Sequence, residues 1–268
     1  MGRIITLTSD FGLADEFVGV MKGVILGLAP GVRIVDLSHQ IAAHDLRQGA
    51  FLLASAWRFF PAGTVHVAVV DPGVGSARRI VLVESGGQLF LAPDNGLLSL
   101  VMGAGGSGRA WQVDNRELFL AEISATFHGR DIFAPVAARL AGGMAPGRVG
   151  LPLAPADLVR LDELLPRVDR RLKRVTGRVE QVDRFGNLVT NISGPLLAEV
   201  YGPGLAGLRV SCGDREIKGL SATFSRVAVG ELAAVLGSRG YLELAVNLGR
   251  AEALLNGRIG VTVMVREA

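Results

Sequence analysis

Apolar runs of strand length alternate with stretches of helical periodicity through the first half of the chain. Residues 3–8 read as a strand that ends at Ser9-Asp10-Phe11-Gly12. Asp15 and Glu16 open a helix to about Leu28, with Val20, Val24 and Leu28 on one face, and Pro30-Gly31 stops it. Residues 32–37 form a second buried strand, with Ser38-His39 at its end. Asp45 caps a helix from Leu46 to about Phe60, closed by Pro61 and Gly63. The next apolar run includes Val67, Ala68, Val69 and Val70, and it stops at Asp71-Pro72-Gly73. Its β-branched content and abrupt end predict a buried strand of a parallel sheet. Residues 79–85 and 88–92 then pattern as a hairpin around Gly86-Gly87. Residues 93–96 turn into a short helix, and 131–140 form another, amphipathic one.

The pattern changes beyond Gly142. Residues 142–157 are rich in proline and glycine and read as a covering loop or linker, and residues 162–174 are charged. Short strands follow at 174–182, 188–192, 208–212, 241–246 and 259–265, with helical pieces only at 195–200 and 250–255. The expected architecture is therefore an α/β N-terminal domain over residues 1–165, with a mostly parallel sheet flanked by helices. A smaller, mainly antiparallel β domain fills residues 170–268.

Composition narrows the function. The charge is only +3, lysines occur at three positions (Lys22, Lys173 and Lys218), and no basic run suggests nucleic acid. The lone Cys212 excludes an internal disulfide and a cysteine-based zinc site, and it fits a reducing compartment, the cytoplasm. The N-terminus has no signal-peptide pattern, and apolar runs such as residues 20–28 are too short and glycine-broken to span a membrane. No two histidines stand at metal-binding spacing, so no metal is expected.

The chemistry concentrates at strand ends. Asp71 ends a buried strand and is followed by a glycine turn and by Arg78 and Arg79, the place where open α/β sheets put ligands. The plain alternative is a turn-capping aspartate with a surface arginine pair. His128 lies between apolar Phe127 and flexible Gly129, ahead of a helix with Asp131 in its first turn. Asp71, Arg78 and His128 together make an acid, base and anion-binding set. Asp10 ends the first strand, and a parallel neighbour would put it at the same sheet edge as Asp71. It is a turn residue or a carboxylate that receives the two hydroxyls of a ribose diol. His39 lines a site or forms a turn, and His66 is structural or exposed.

Five motifs in order carry a resemblance: TSDFG, VVDPGVGSARR, APDNGLL, TFHGRDIFAP and VDRFGNLVTNI. Over nearly the whole chain they resemble the S-adenosylmethionine (SAM) hydroxide adenosyltransferase family, hydrolase relatives of the SAM-dependent fluorinase and chlorinase. The resemblance implies a two-domain enzyme, a homotrimer with sites at subunit interfaces and no cofactor beyond SAM, its substrate. It implies attack of water at C5′, giving adenosine and L-methionine, with Asp71, Arg78 and His128 catalytic. Asp10 would hold the ribose and Phe127 would line the site. Phe185 and Asn187 would meet adenine, Asp183 the ammonium, and Ser238 and Arg239 would complete the substrate contacts.

The chain also departs from the fluorinase. His44 replaces a large aromatic, Val246 replaces an arginine, and Asp71 and His128 stand where that enzyme has tyrosines. A carboxylate beside the nucleophile repels a halide, which ranks water above chloride or fluoride. The other reading is a module that holds SAM or adenosine without turnover.

Overall fold

The computed structural model describes residues 4–105, 108–202 and 204–267. Arg3, expected to open the first strand, lies outside the described residues. The chain divides into two compact units, Met1–Asp162 and Glu163–Ala268. Among the described residues, no helix is long and apolar enough to cross a membrane.

The first unit is built on strands β1 (Ile4–Ser9), β2 (Arg33–Ser38), β3 (Val65–Val69), β4 (Ile80–Ser85), β5 (Gln88–Pro93), β6 (Arg109–Gln112) and β7 (Pro152–Leu153). Their order is β2-β1-β3-β5-β4-β6-β7. The pairs β2-β1, β1-β3 and β3-β5 are parallel, whereas β5-β4, β4-β6 and β6-β7 are antiparallel. The sheet is thus mixed rather than mostly parallel. The Gly86-Gly87 hairpin reverses the chain, so β5 keeps a parallel neighbour in β3 while β4, β6 and β7 pair antiparallel. β2 is an edge strand with no fully buried residue, not the buried strand expected.

Helices α1 (Phe17–Leu28), α2 (Leu46–Ala56), α3 (Ser99–Gly105) and α4 (Ala134–Ala141) accompany this sheet. Alternation along the strands divides their side chains between its two faces. Ile5, Leu7, Val65, Val67 and Val69 pack in one core with Met21 and Ile25 of α1 and the buried alanines of α4. α2 lies on the opposite face, where Gly49 sits against Val70 and Trp57 meets Phe90 edge-on. The glycine- and proline-rich segment 142–157 is no linker. It folds onto the first unit through buried Val149, and β7 extends the sheet.

The second unit carries β8 (Arg167–Asp169), β9 (Arg174–Val182), β10 (Leu188–Ser193), β11 (Leu208–Cys212), β12 (Arg215–Lys218), β13 (Leu232–Leu236), β14 (Tyr241–Val246) and β15 (Thr262–Glu267). Every ladder between these strands is antiparallel, in the order β12-β11-β15-β9-β10-β14-β13, with β8 added on β9. The two ends of that order, β12 and β13, lie against each other, and a bridge joins Ser221 to Val235, so the sheet curls toward closure. Helices α5 (Gly194–Tyr201) and α6 (Ala251–Leu254) are its only α-helical elements among the described residues.

Candidate active site

The sheet order creates the site. From β1 the chain crosses through α1 to β2 on one side, then through α2 to β3 on the other side. The carboxyl ends of β1 and β3 therefore flank a topological switch point, where the connections diverge and leave a crevice. Ser9 of β1 pairs with Val69 of β3, so Asp10 and Asp71 emerge side by side at this edge. A cleft of about 310 Å³ opens there, lined by Asp10, Phe11, His44, Asp71, Phe127 and His128, among others. Sequence reasoning named Asp10, Asp71, Phe127 and His128 for one site, and the fold brings these four together.

Arg78 joins two of them. Its Nε donates to Asp71 Oδ1 and Oδ2 at 2.9 and 2.8 Å, and its Nη2 also donates to Oδ2. The same Nη2 lies 2.9 Å from His128 Nδ1. Arginine has only donors, so Nδ1 accepts, and the neutral ring carries its proton on Nε2. The pair is well covered: 5% of the Asp71 side chain and 11% of the Arg78 side chain are exposed. Burial first, and then the positive charge of Arg78, hold the pKa of His128 below its usual value, against an opposing pull from Asp71 and Asp131.

Local structure explains why these groups meet. Gly75, at φ +77, lets the turn after Asp71 double back, and a Cβ there would lie 2.4 Å from the carbonyl oxygen of Ala125. Only glycine permits this approach of the Asp71 turn to the segment leading into His128. His128 immediately precedes a π-helical turn, Gly129–Phe133, that leads into α4; such turns are common at functional sites. The fully buried Asp131 fixes that turn: its Oδ2 accepts from Ser124 N at 2.8 Å, and Arg130 pairs with it. Phe127 packs edge-on against Phe11 and Phe17, which gives the cleft an apolar wall. Phe11 and Phe17 were missed because a phenylalanine beside a helix start reads as core.

Arg79 does not share the site of its neighbour. It pairs with Asp94, and its Nη2 donates to the carbonyl oxygen of Asp157 at 2.6 Å. His66 is structural and fully buried: it bonds Thr6 Oγ1 at 2.7 Å and stacks on Phe90. Burial lowers its pKa to about 4. His39 is also buried, 2.7 Å from Ser9 Oγ.

In the second unit, Asp183, Phe185 and Asn187 share the turn between β9 and β10. Asp183 Oδ1 accepts from the backbone N–H of Phe185 and of Asn187 at 2.8 and 2.9 Å. Its Oδ2 accepts from the Asn187 side-chain amide at 2.9 Å. Asp183 is thus the clasp of the turn. Phe185 stands 74% exposed, a flat apolar face projecting from it. Arg239 donates to Gln181 Oε1 at 2.5 Å and lies 4.0 Å from Glu243, while Ser238 is exposed. Burial raises the pKa of Glu243, Arg239 opposes that, and Asp183 adds to it. Gln181 and Glu243 were not singled out in the sequence, since β-strand positions carry no motif of their own.

The SAM hydroxide adenosyltransferase N-terminal domain matches residues 5–150, and the corresponding C-terminal domain matches residues 177–264. The chain is 45% identical to an (R)-S-adenosyl-L-methionine hydrolase of Salinispora tropica, over 94% of this chain and 93% of that one. It is 39% identical to a protein of the same name from Thermus thermophilus, over 97% and 98%. A fluorinase of an Actinoplanes species is 31% identical, over 99% and 98%. Among solved structures, an uncharacterized conserved protein from Thermotoga maritima superposes with a TM-score of 0.87 at 38% identity, covering 98% of this chain and 100% of that one. With both domain matches in sequence order and relatives aligned from end to end, the chain belongs to the SAM hydroxide adenosyltransferase family.

Proposed function

We propose that this enzyme hydrolyses (R)-S-adenosyl-L-methionine to adenosine and L-methionine, with Asp71, Arg78 and His128 as its catalytic set. The observation that carries the residue assignment is the arginine fork joining Asp71 and His128 at the switch-point cleft. The reaction forms one bond, from water oxygen to C5′, and breaks one, from C5′ to sulfur. The sulfur departs with the electron pair as the neutral thioether of methionine, so the leaving group needs no acid. The substrate sulfonium becomes two neutral groups and one proton, and that proton needs a base.

Arg78 keeps its proton and orients the other two groups. His128 presents Nδ1 to Arg78, so its Nε2–H faces away as a donor that can hold the water oxygen. Asp71 then takes the proton, directly or through a second water. Aiming the oxygen along the C5′–S axis and excluding bulk water supply the rest of the acceleration. The apolar wall of Phe11, Phe17 and Phe127 serves that exclusion.

Asp10 takes the ribose diol, Phe185 the purine face, and Asn187 its edge. Asp183, Ser238 and Arg239 serve the methionine end. In this reading residues 1–165 form the catalytic domain and residues 170–268 the adenine-binding domain. The active unit is a homotrimer with sites at subunit interfaces, and the only small molecule needed is SAM itself. The single buried Cys212 fits work in the cytoplasm.

Turnover in ¹⁸O water with EDTA tests the proposal. Label in the 5′-hydroxyl of adenosine, at an unchanged rate, is expected. Halogenated nucleoside on adding chloride, or intact SAM binding without product, overturns it. Light scattering that finds a stable, active monomer overturns the trimer and the shared site.

A further inference from the structure

We infer that His44 is a positioning residue for Asp10 and acts through its backbone, not its ring. The inference rests on the ribose reading of Asp10 given above. Four described residues other than glycine have positive φ, and His44, at φ 65, is the one that lines the cleft. Its side chain is 72% exposed, and its Nδ1 lies 3.9 Å from Asp10 Oδ2, too far for a hydrogen bond. Its backbone N–H, by contrast, donates to that same oxygen at 2.9 Å.

The turn that aims this N–H is tied down at both ends. Asp45 N donates to the carbonyl of Ala42 at 2.9 Å, which closes a four-residue turn with His44 in its third place. A positive φ at that place is the type II signature, and glycine usually supplies it. Ala42 N donates to Gln48 Oε1 at 2.7 Å, and Gln48 N donates to Asp45 Oδ1 at 2.9 Å, so the turn is locked to the first residues of α2. Surroundings that over-determine a left-handed residue are what allow it to persist at a functional site. The result is a rigid donor that holds one oxygen of Asp10 and leaves Oδ1 and the remaining lone pair of Oδ2 for two hydroxyls.

The test is diol discrimination, the ratio of Kd for 2′,3′-dideoxyadenosine to Kd for adenosine, measured by calorimetry on the full chain. The parent is expected to prefer adenosine by at least about tenfold. His44→Val places a β-branched residue where positive φ is a true outlier, so it should lower the ratio about tenfold. His44→Gly removes the whole ring yet keeps the N–H and accepts the dihedral, so it should recover most of that loss. Equal losses in both variants would mean the imidazole matters, and an undiminished ratio in His44→Val would mean the turn does not; either overturns the inference. Thermal melts check folding, and His44→Ala replaces the valine variant if that fails to fold. A parent that does not discriminate, or an Asp10→Asn variant that discriminates like the parent, sinks the ribose reading instead.

Discussion

Removing Arg78 tests the site without reference to its chemistry. Arg78→Met keeps an unbranched apolar stem and deletes the guanidinium donors to Asp71 and His128. Asp71 is 5% exposed, so its carboxylate is left nearly dry and unpaired. Breaking one side of such a pair costs about 3–5 kcal/mol, because the remaining charge stays desolvated. For a unit ending at Asp162 this corresponds to a fall in Tm of about 10 °C. The double variant Asp71→Asn/Arg78→Met removes the stranded charge at nearly constant volume, so it should be more stable than Arg78→Met by about 2 kcal/mol. Both should be inactive. Removing the guanidinium also ends its downward pull on His128, while Asp71 and Asp131 go on raising the pKa of that residue in the single variant. The imidazole resonances of His128 should therefore titrate at higher pH in Arg78→Met than in the parent. Calorimetric melts of the parent and both variants, with NMR titration of the histidines, make the assay. A single variant no less stable than the double, or a His128 titration that stays put, refutes the bridging role of Arg78.

Asp71→Ala and His128→Ala should each cut kcat by about 10²–10⁴ in a steady-state assay of adenosine release, with smaller changes in KM, because the proposed reaction sets both groups against the nucleophile. Asp10→Asn should raise KM strongly, and a variant that binds SAM as the parent does contradicts the ribose role. Gly75→Ala should lower kcat with little change in KM, since its Cβ would lie 2.4 Å from Ala125 O and push the His128 segment away from the Asp71 turn; unchanged kinetics would remove the role given to that contact. His66 is held neutral in the folded protein with a pKa of about 4, whereas the unfolded chain titrates near 6.5. Its contribution is complete above pH 6.5 and is lost as pH falls through 4, about 3 kcal/mol in all, which urea unfolding at several pH values measures.

The sequence was legible where one local rule decided the outcome. Pro72-Gly73 after a β-branched run marked the end of β3, and the Gly86-Gly87 pair marked the β4-β5 hairpin. Five of the eight strands described in the second unit were found because glycine turns punctuate them. β8, β12 and β13 were not, since Arg167–Asp169 and Arg215–Lys218 are short and charged, and Leu232–Leu236 is uniformly apolar instead of alternating. The expectation of a mostly parallel sheet held for the β2-β1-β3-β5 half and stopped there for a related reason. Parallel pairing was inferred from strand-helix alternation, but from β4 onward no crossover helix carries the chain back to a parallel neighbour. Edge placement is likewise a property of the whole sheet, so the Ile34-Val35 pair of β2 resembled a core strand although the strand lies at the margin.

The candidate site was legible for a different reason. A crevice at a switch point recruits whatever follows the flanking strands, so Asp10 and Asp71 could be placed from strand ends alone. What could not be read is how the fold holds those carboxylates. Arg78 belongs to Asp71 while Arg79, one residue on, belongs to Asp94, and no local pattern separates the two. The left-handed His44 and the close approach of Gly75 to Ala125 are contacts between distant segments, chosen by the three-dimensional path of the chain. Both place backbone atoms, so neither announces itself through a reactive side chain. The side chains proposed to do the chemistry are visible in the sequence because their functional groups are rare and specific. The backbone geometry that holds them uses a left-handed histidine and a close-packed glycine, and it emerges only when the strands, the turns and the π-helical turn before α4 are assembled around the same edge.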